Sequence, residues 1–424
     1  MSHLGGLGSR FLGKLALGFL VVAAVGWGWF AIECGNGVSA AGGPAESNGE
    51  YRVLAPIESG NLLLYPVVRA NGKQGGESQF LTLDEGFKSG SVEVTEAGKV
   101  RGLVRGRDNG PAIVGGDQVN TLVLVNNSSQ PLLLLAGEIV TGGKQDRVIA
   151  KDRIVPPGGD PIDLSVFCIE PGRWVESSPV FGASSKAPVA GIMVQPTVRE
   201  QAMVARDQQQ VWNSVHGTIA ALAAAPAATG GPMMPSPAPP TTSYAKAMQS
   251  EGFKAKVDEA AAPLMQSREA ILAQLKKEGA VGVVVAVRGE IVWADLFSSP
   301  DLLSRYWTKL VRSYAAESLS PGETHATPTV ADAQRFLETT SGGTETSEGS
   351  VGIYRYREVR SGGTETFVLE SLLPDAKYDV HISKLKLRNA ERRPRPVSFH
   401  GTMPPPPVPQ LVPPVPVEPR PMLD

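Results

Sequence analysis

Apolar and polar residues alternate, cluster or recur at helical spacing in an order that predicts strands, then helices, then strands again. Residues 92–96 (VEVTE) alternate as a half-buried strand, just after a short helix opened by a T-x-x-E capping box. That box spans Thr82 and Glu85, with Phe87 inside the helix and Gly90 ending it. Apolar runs at 120–125 and 131–140 flank Asn126-Asn127-Ser128-Ser129 and read as two strands joined by a turn. β character continues at 147–150 and 163–168. Helix then takes over at 198–222, with Val204, Val211, Trp212 and Val215 as its apolar members. A second helical stretch at 254–277 is broken or kinked by Pro263. Residues 281–287 and 290–297 flank Arg288-Gly289 as a hairpin. Ser299 caps the next helix and Pro300 takes its first position; Leu302, Leu303, Tyr306, Leu310, Val311 and Tyr314 form its apolar face. A short helix ends at Leu337, and strands follow at 351–357, 365–372 and 378–387. The hexapeptide SGGTET at 341–346 and 361–366 is a pair of similar polar turns, since two copies do not make a solenoid. The fold class expected is α+β, with antiparallel-rich sheets and the helices grouped mid-chain.

Three segments depart from this pattern. Residues 15–32 form an uncharged apolar run, preceded by Arg10 and Lys14 and followed by no cation until Arg52. This asymmetry predicts a cytoplasmic N-terminus with the remainder outside. The run approaches the roughly 20 residues of a membrane anchor, and Val38-Ser39-Ala40 offers a signal-cleavage site as the alternative. The expected location is therefore the cell membrane, single-pass with the C-terminal domain outside, or the exterior after cleavage near Ala40. Residues 223–243 are an uncharged Ala/Pro-rich linker, and ten of residues 404–424 are proline. Both are expected to be disordered, because neither can bury enough apolar surface to offset the entropy of ordering. The organisation expected is an export segment and flank at 1–50, one α+β domain at 51–390, and a Pro-rich tail at 391–424. The tail is a passive spacer or a ligand for a proline-reading protein partner.

Charge and composition narrow the function. Forty basic and 42 acidic side chains leave a net charge of −2 with no basic block, which argues against nucleic acid as a partner. Two cysteines, Cys34 and Cys168, exclude a disulfide framework, and five scattered histidines give neither a metal nor a cofactor signature.

Three polar clusters could carry chemistry. In GEIVTGGKQDR, the Gly142-Gly143 turn and the cations Lys144 and Arg147 could present amides and charge to an anion, with Glu138 or Asp146 as acid or base. The pattern is not a P-loop, and a charged hairpin turn is its plainer reading. In CIEPGRW, Glu170 is a further acid or base, with Arg173 and Trp174 beside it; Glu170 paired to Arg173 is the simpler reading. Cys168 would need a base to act as nucleophile, and His381 could arrive only through the fold. The third cluster is Asp295 with Arg305, Lys309 and Arg312, three cations on one helix face that is either solvated or an anion site.

The blocks LTLDEGFKSG, LLLLAGEIVTGGKQDRVIAKDRIVPP, VFCIEPGRW, VVVAVRGEIVWADLF and YWTKLVRSYAAES resemble one bacterial family. It is the ADP-ribosylglycohydrolase- and rhodanese-phosphatase-associated protein domain, whose biochemistry is uncharacterised. The resemblance runs from about Tyr51 to Ser318 and weakens towards Arg388. Its name implies an association with NAD or ADP-ribose metabolism and implies no mechanism. An anchored ligand-binding or scaffolding module is the first expectation. The alternative is an enzyme acting on an ADP-ribose-like or other phosphorylated small molecule, with Lys144 and Arg147 on phosphate and His381 as a proton shuttle.

Overall fold

The hairpin marked most plainly by the sequence, Ala280–Val287 and Glu290–Phe297, lies in the middle of the largest sheet. The computed structural model describes residues 49–70, 78–96, 105–107, 110–113, 121–172, 178, 180–182, 192–225, 241–338 and 343–387. The apolar run at 15–32, Cys34, Arg173, Trp174, most of the Ala/Pro-rich linker and the proline-rich tail lie outside these residues. Among the described residues no helix is long and apolar enough to cross a membrane.

The main sheet is antiparallel throughout. Its order is Tyr51–Val53, Leu62–Arg69, Ala280–Val287, Glu290–Phe297, Ala376–Lys386, Thr364–Leu373, Tyr354–Ser361 and Thr344–Ser350, with Ile57–Ser59 also on Leu62–Arg69. Every residue of Ala280–Val287 is buried. Val283, Val285 and Val287 face one core, and Val284 and Ala286 face another. A strand covered on both faces reads as a continuous apolar run, which is why AVGVVVAV does not alternate. Arg288 and Gly289 both have positive φ (50° and 79°), the turn geometry that matches strand twist. Arg288 is held there by donating to the carbonyls of Ser318 and Ser320.

Helix Pro300–Ser318 covers one face of this sheet, capped by Ser299, whose hydroxyl accepts from Leu302 N. All six residues of its expected apolar face are buried in the larger core. Helix Val330–Glu338 closes the other face. A second β layer comprises a six-stranded sheet, ordered Ile139–Val140, Arg147–Ile149, Ile162–Cys168, Thr121–Asn126, Val92–Glu96, Val180–Phe181. A three-stranded sheet, Arg153–Val155, Leu132–Leu134 and Leu81–Thr82, packs with it around a shared core. The capping box forms as expected: Thr82 accepts from Glu85 N, Glu85 accepts from Thr82 N, and Gly90 ends helix Leu83–Ser89 at φ 71°.

Four expectations need correction. The strands on either side of Asn126 do not pair with each other; Thr121–Asn126 and Leu132–Leu134 enter different sheets. The Asn126 amide donates to the carbonyls of Gln130, Val155 and Pro156, which steers the chain from one sheet to the other. The expected helix at 198–222 is interrupted. Helix Pro196–Glu200 runs into a π-helical turn, Gln201–Ala205, then a left-handed Arg206 (φ 52°), before Asp207 caps helix Gln208–Ala224. Pro263 lies inside helix Glu251–Gln266, and the break falls at Ser267, before Arg268–Glu278. The SGGTET copies are not turns throughout: Thr344-Glu345-Thr346 opens strand Thr344–Ser350 and Thr364-Glu365-Thr366 opens Thr364–Leu373, and the former has no apolar face by which periodicity could announce it.

Side chains also finish backbone ends. Lys256 donates to the carbonyls of Leu222, Ala223 and Ala225 at the end of helix Gln208–Ala224, fixing the point from which the linker departs. At the sheet edge, Gln334 Oε1 accepts from Val53 N at 2.8 Å and its Nε2 donates to Tyr51 O at 2.9 Å. Gln334→Ala is expected to lower unfolding stability by about 1–3 kcal/mol in urea titration, the cost of leaving such groups without partners. No change would show that water replaces the amide at that edge.

Candidate functional site

An acid inside the apolar strand sequence IVWADLF has to be compensated, and Asp295 gathers partners from every layer of the fold. Its side chain is fully buried. Arg199, from helix Pro196–Glu200, meets it bidentately, with Nη1 to Oδ2 at 2.8 Å and Nη2 to Oδ1 at 3.1 Å. Ser383 Oγ donates to Oδ1 at 2.9 Å, and the Tyr314 hydroxyl donates to Oδ2. His381 places Nε2 3.2 Å from Asp295 Oδ1 and Nδ1 2.6 Å from Asp152 Oδ2. Asp152, from the second β layer, also accepts from Ala136 N at 2.7 Å. The Arg199 guanidinium lies 4.4 Å from the centre of the Trp293 ring, and His381 packs against Phe297 at 4.7 Å.

Burial alone would raise the Asp295 carboxyl, but Arg199 and His381 hold it well below the usual carboxylate range. Burial alone would lower His381, yet Asp152 and Asp295 pull it up to about 9. At neutral pH the cluster is therefore balanced: two carboxylates face one guanidinium and one imidazolium. With both His381 nitrogens facing carboxylates and Ser383 donating to Asp295, these groups are arranged as an ionic joint between layers. A proton shuttle needs an open side towards a substrate, and His381 is completely buried.

Gly137 makes room for this joint. It has φ +93°, and a Cβ there would lie 2.6 Å from Arg199 Cγ. Next to it, Glu138 is buried: Oε2 accepts from Leu135 N at 2.7 Å and Oε1 meets Lys309 Nζ at 2.5 Å. Lys309 also reaches Asp84 at 2.8 Å. Burial works against its charge, but the two carboxylates raise its pKa overall. The other cations of that helix are likewise paired, Arg305 with Glu85 and Arg312 with Asp258 at 2.5 Å. The three-cation face is thus a row of salt bridges to neighbouring elements.

A second polar cluster surrounds the Gly-Gly turn. Gly142 N donates to Asp146 Oδ1 at 3.1 Å, Gly143 N to Ser178 O at 3.0 Å, and Lys144 N to Glu96 Oε1 at 3.0 Å. Amides that could have cradled an anion are held by the protein's own oxygens. Arg147 is buried, donating to Gln145 O at 2.7 Å and lying 3.9 Å from Glu96. Glu170 accepts from Asp146 N at 3.1 Å and pairs with Lys246 Nζ at 3.0 Å. Asp146 Oδ2 accepts from Ser243 Oγ at 2.6 Å, three residues before Lys246. Cys168 is buried with its sulfur 2.9 Å from Gln145 Oε1, and burial pushes its thiol up to about 12, far from thiolate chemistry at neutral pH.

Lys144, Asp146, Arg147 and Glu170 thus share one cluster, whereas Asp295 and His381 share the other. Asp152, Arg199, Tyr314, Ser383 and Lys246 were missed by sequence reasoning. The available signal was an isolated acid, Asp295, amid residues otherwise apolar.

Two expectations follow. Gly137→Ala introduces both a positive-φ side chain and a clash with Arg199, and should cost about 3 kcal/mol or more in denaturant unfolding. Because the folded value of His381 exceeds the ordinary 6.5, its stabilisation is full below pH 6.5 and falls away as pH rises to about 9. His381→Gln should flatten that slope and cost ~3–5 kcal/mol at pH 6.5; an unchanged pH profile would deny His381 its charge.

Comparison with curated proteins and with solved structures found no match. A family model does match, over residues 50–385, from the first strand of the main sheet to its last and through both polar clusters. The chain belongs to the ARG and Rhodanese-Phosphatase-superfamily-associated Protein domain family.

Proposed function

We propose that this chain is an exported, membrane-tethered ligand-binding module. Its ligand meets the face formed by the TGGKQDR turn and the end of strand Ile162–Cys168. The observation that carries this reading is the ammonium of Lys246, which stands at the outer rim of an otherwise buried cluster. The Lys246 side chain is 53% exposed while its partner Glu170 is 3% exposed. Lys144 is half-buried on the neighbouring turn. Asp146 ties the two together: its carboxylate holds Gly142 N on one side and Ser243 on the other. Such internal bracing lets two cations meet a ligand without first being ordered, which lowers the entropic cost of binding. Two ammonium groups suit a phosphorylated small molecule, and the family's association with ADP-ribose chemistry supports a ligand of that class. The apolar run at 15–32 supplies the tether.

Thermal unfolding of the full chain in detergent, against ADP-ribose, nucleotides and sugar phosphates, tests the reading. At least one ligand should raise the midpoint by several degrees, since saturation at 100 times Kd contributes about 2.7 kcal/mol. A Lys144→Ala/Lys246→Ala variant should lose that rise, read against the variant's own unliganded midpoint, because Lys246 also pairs with the buried Glu170. A screen without any stabilising ligand would contradict the proposal. Turnover of a ligand that vanishes in Glu170→Gln would replace binding by catalysis.

A further inference from the structure

The two outer strands of the main sheet are finished differently. Strand Tyr51–Val53 is three residues long, and the Gln334 side chain answers its backbone as another peptide group would. Strand Thr344–Ser350 is seven residues long and pairs in unbroken register with Tyr354–Ser361. No described residue pairs with its outer side, and residues 344–349 are all exposed. Its sequence, TETSEGS, contains no Lys, Arg or Pro and its pairing no bulge, the devices that normally blunt a sheet edge. Its two carboxylates are answered within the chain: Glu348 meets Lys151 at 2.6 Å and Glu345 lies 4.0 Å from Arg357. What the edge still offers is backbone.

The adjoining turn fixes which backbone groups point outward. Ser350 O accepts from Ile353 N at 3.0 Å, and Ser350 lies opposite Tyr354. In an antiparallel strand the N–H and C=O of one residue share a side, and successive residues alternate. Thr344, Thr346, Glu348 and Ser350 therefore bond inward, and Glu345, Ser347 and Gly349 direct their N–H and C=O outward.

This spacing is self-complementary. Outward-directed residues must face one another, so a two-fold axis relating two copies passes through a residue and not between two. An axis at Glu345 or Glu348 sets a carboxylate against its own copy, which is destabilising. An axis at Ser347 pairs all seven residues, the longest overlap open to the strand. Glu345 then faces Gly349 of the second copy and Glu348 faces Thr346, so no like charges stand opposite. The three outward pairs exchange about six N–H···O bonds.

We propose that Thr344–Ser350 binds a second copy of this chain, edge to edge and antiparallel about an axis at Ser347, joining the two main sheets into one.

Disulfide trapping of the full chain in detergent tests the register, with Cys34→Ser in every variant; Cys168 is buried. Facing Cα atoms of a hydrogen-bonded pair are about 5.5 Å apart, within disulfide range. Under mild oxidation Ser347→Cys should form a crosslinked dimer at least tenfold faster than Glu345→Cys, whose two copies would lie roughly 14 Å apart. Ser347→Pro removes an outward N–H and leaves the inward ladder intact. Light scattering, corrected for bound detergent, should give two chains for the parent and one for Ser347→Pro at the same concentration. Equal trapping at both positions, no trapping at Ser347, a monomeric parent or a dimeric Ser347→Pro variant overturns the proposal. If Ser347→Pro fails to fold, the trapping ratio decides alone.

Discussion

A carboxylate at the centre of an apolar sheet is the constraint around which this molecule is arranged. Asp295 has no access to water, so its charge has to be answered by fixed groups. Those groups come from three separate parts of the chain: Arg199 from a short helix, Tyr314 from the long one, Ser383 and His381 from the adjacent strand. His381 carries the connection across to Asp152 and hence to the second β layer. Burying ions is costly, and such a joint gains little net stability over well-packed apolar residues. What it imposes is geometry: the layers fit only where all five side chains meet. The bare Gly137 beside Arg199 belongs to the same requirement.

The same logic governs the GGKQDR block. Its glycines allow close approach, Gly142 against the Val180 carbonyl and Gly143 against Phe181 and Glu96. The acids Glu96, Asp146 and Glu170 hold the turn from inside. Residues that resemble an anion cradle in sequence are thereby used to brace the turn, and Lys246 pairs with Glu170 at its outer rim. The fold and the proposed site are two consequences of one pattern of internal charge pairing.

Features set by neighbours in sequence were legible. The Thr82–Glu85 box, the Ser299-Pro300 helix start and the Arg288-Gly289 hairpin each depend on contacts within a few residues. Features set across the chain were not. Arg199 and Asp295 are 96 residues apart, and Asp152 and His381 are 229 apart. Glu138, Asp295 and His381 stand out in the sequence as candidates for acid–base or anion chemistry, but only the fold assigns their partners. The π-helical turn at Gln201–Ala205 hid within a continuous helical pattern, and Thr344–Ser350 has no buried face to leave a trace in hydropathy.

The claim that the Asp295 cluster is a structural joint is tested most directly by a double-mutant cycle in urea unfolding, with Arg199→Met and Asp295→Leu separately and together. Each single change strands a buried charge and should cost ~3–5 kcal/mol. The pair should cost less than the sum by about 2 kcal/mol or more, because the second change removes the stranded charge. Strictly additive costs, or single variants as stable as the parent, would contradict the account.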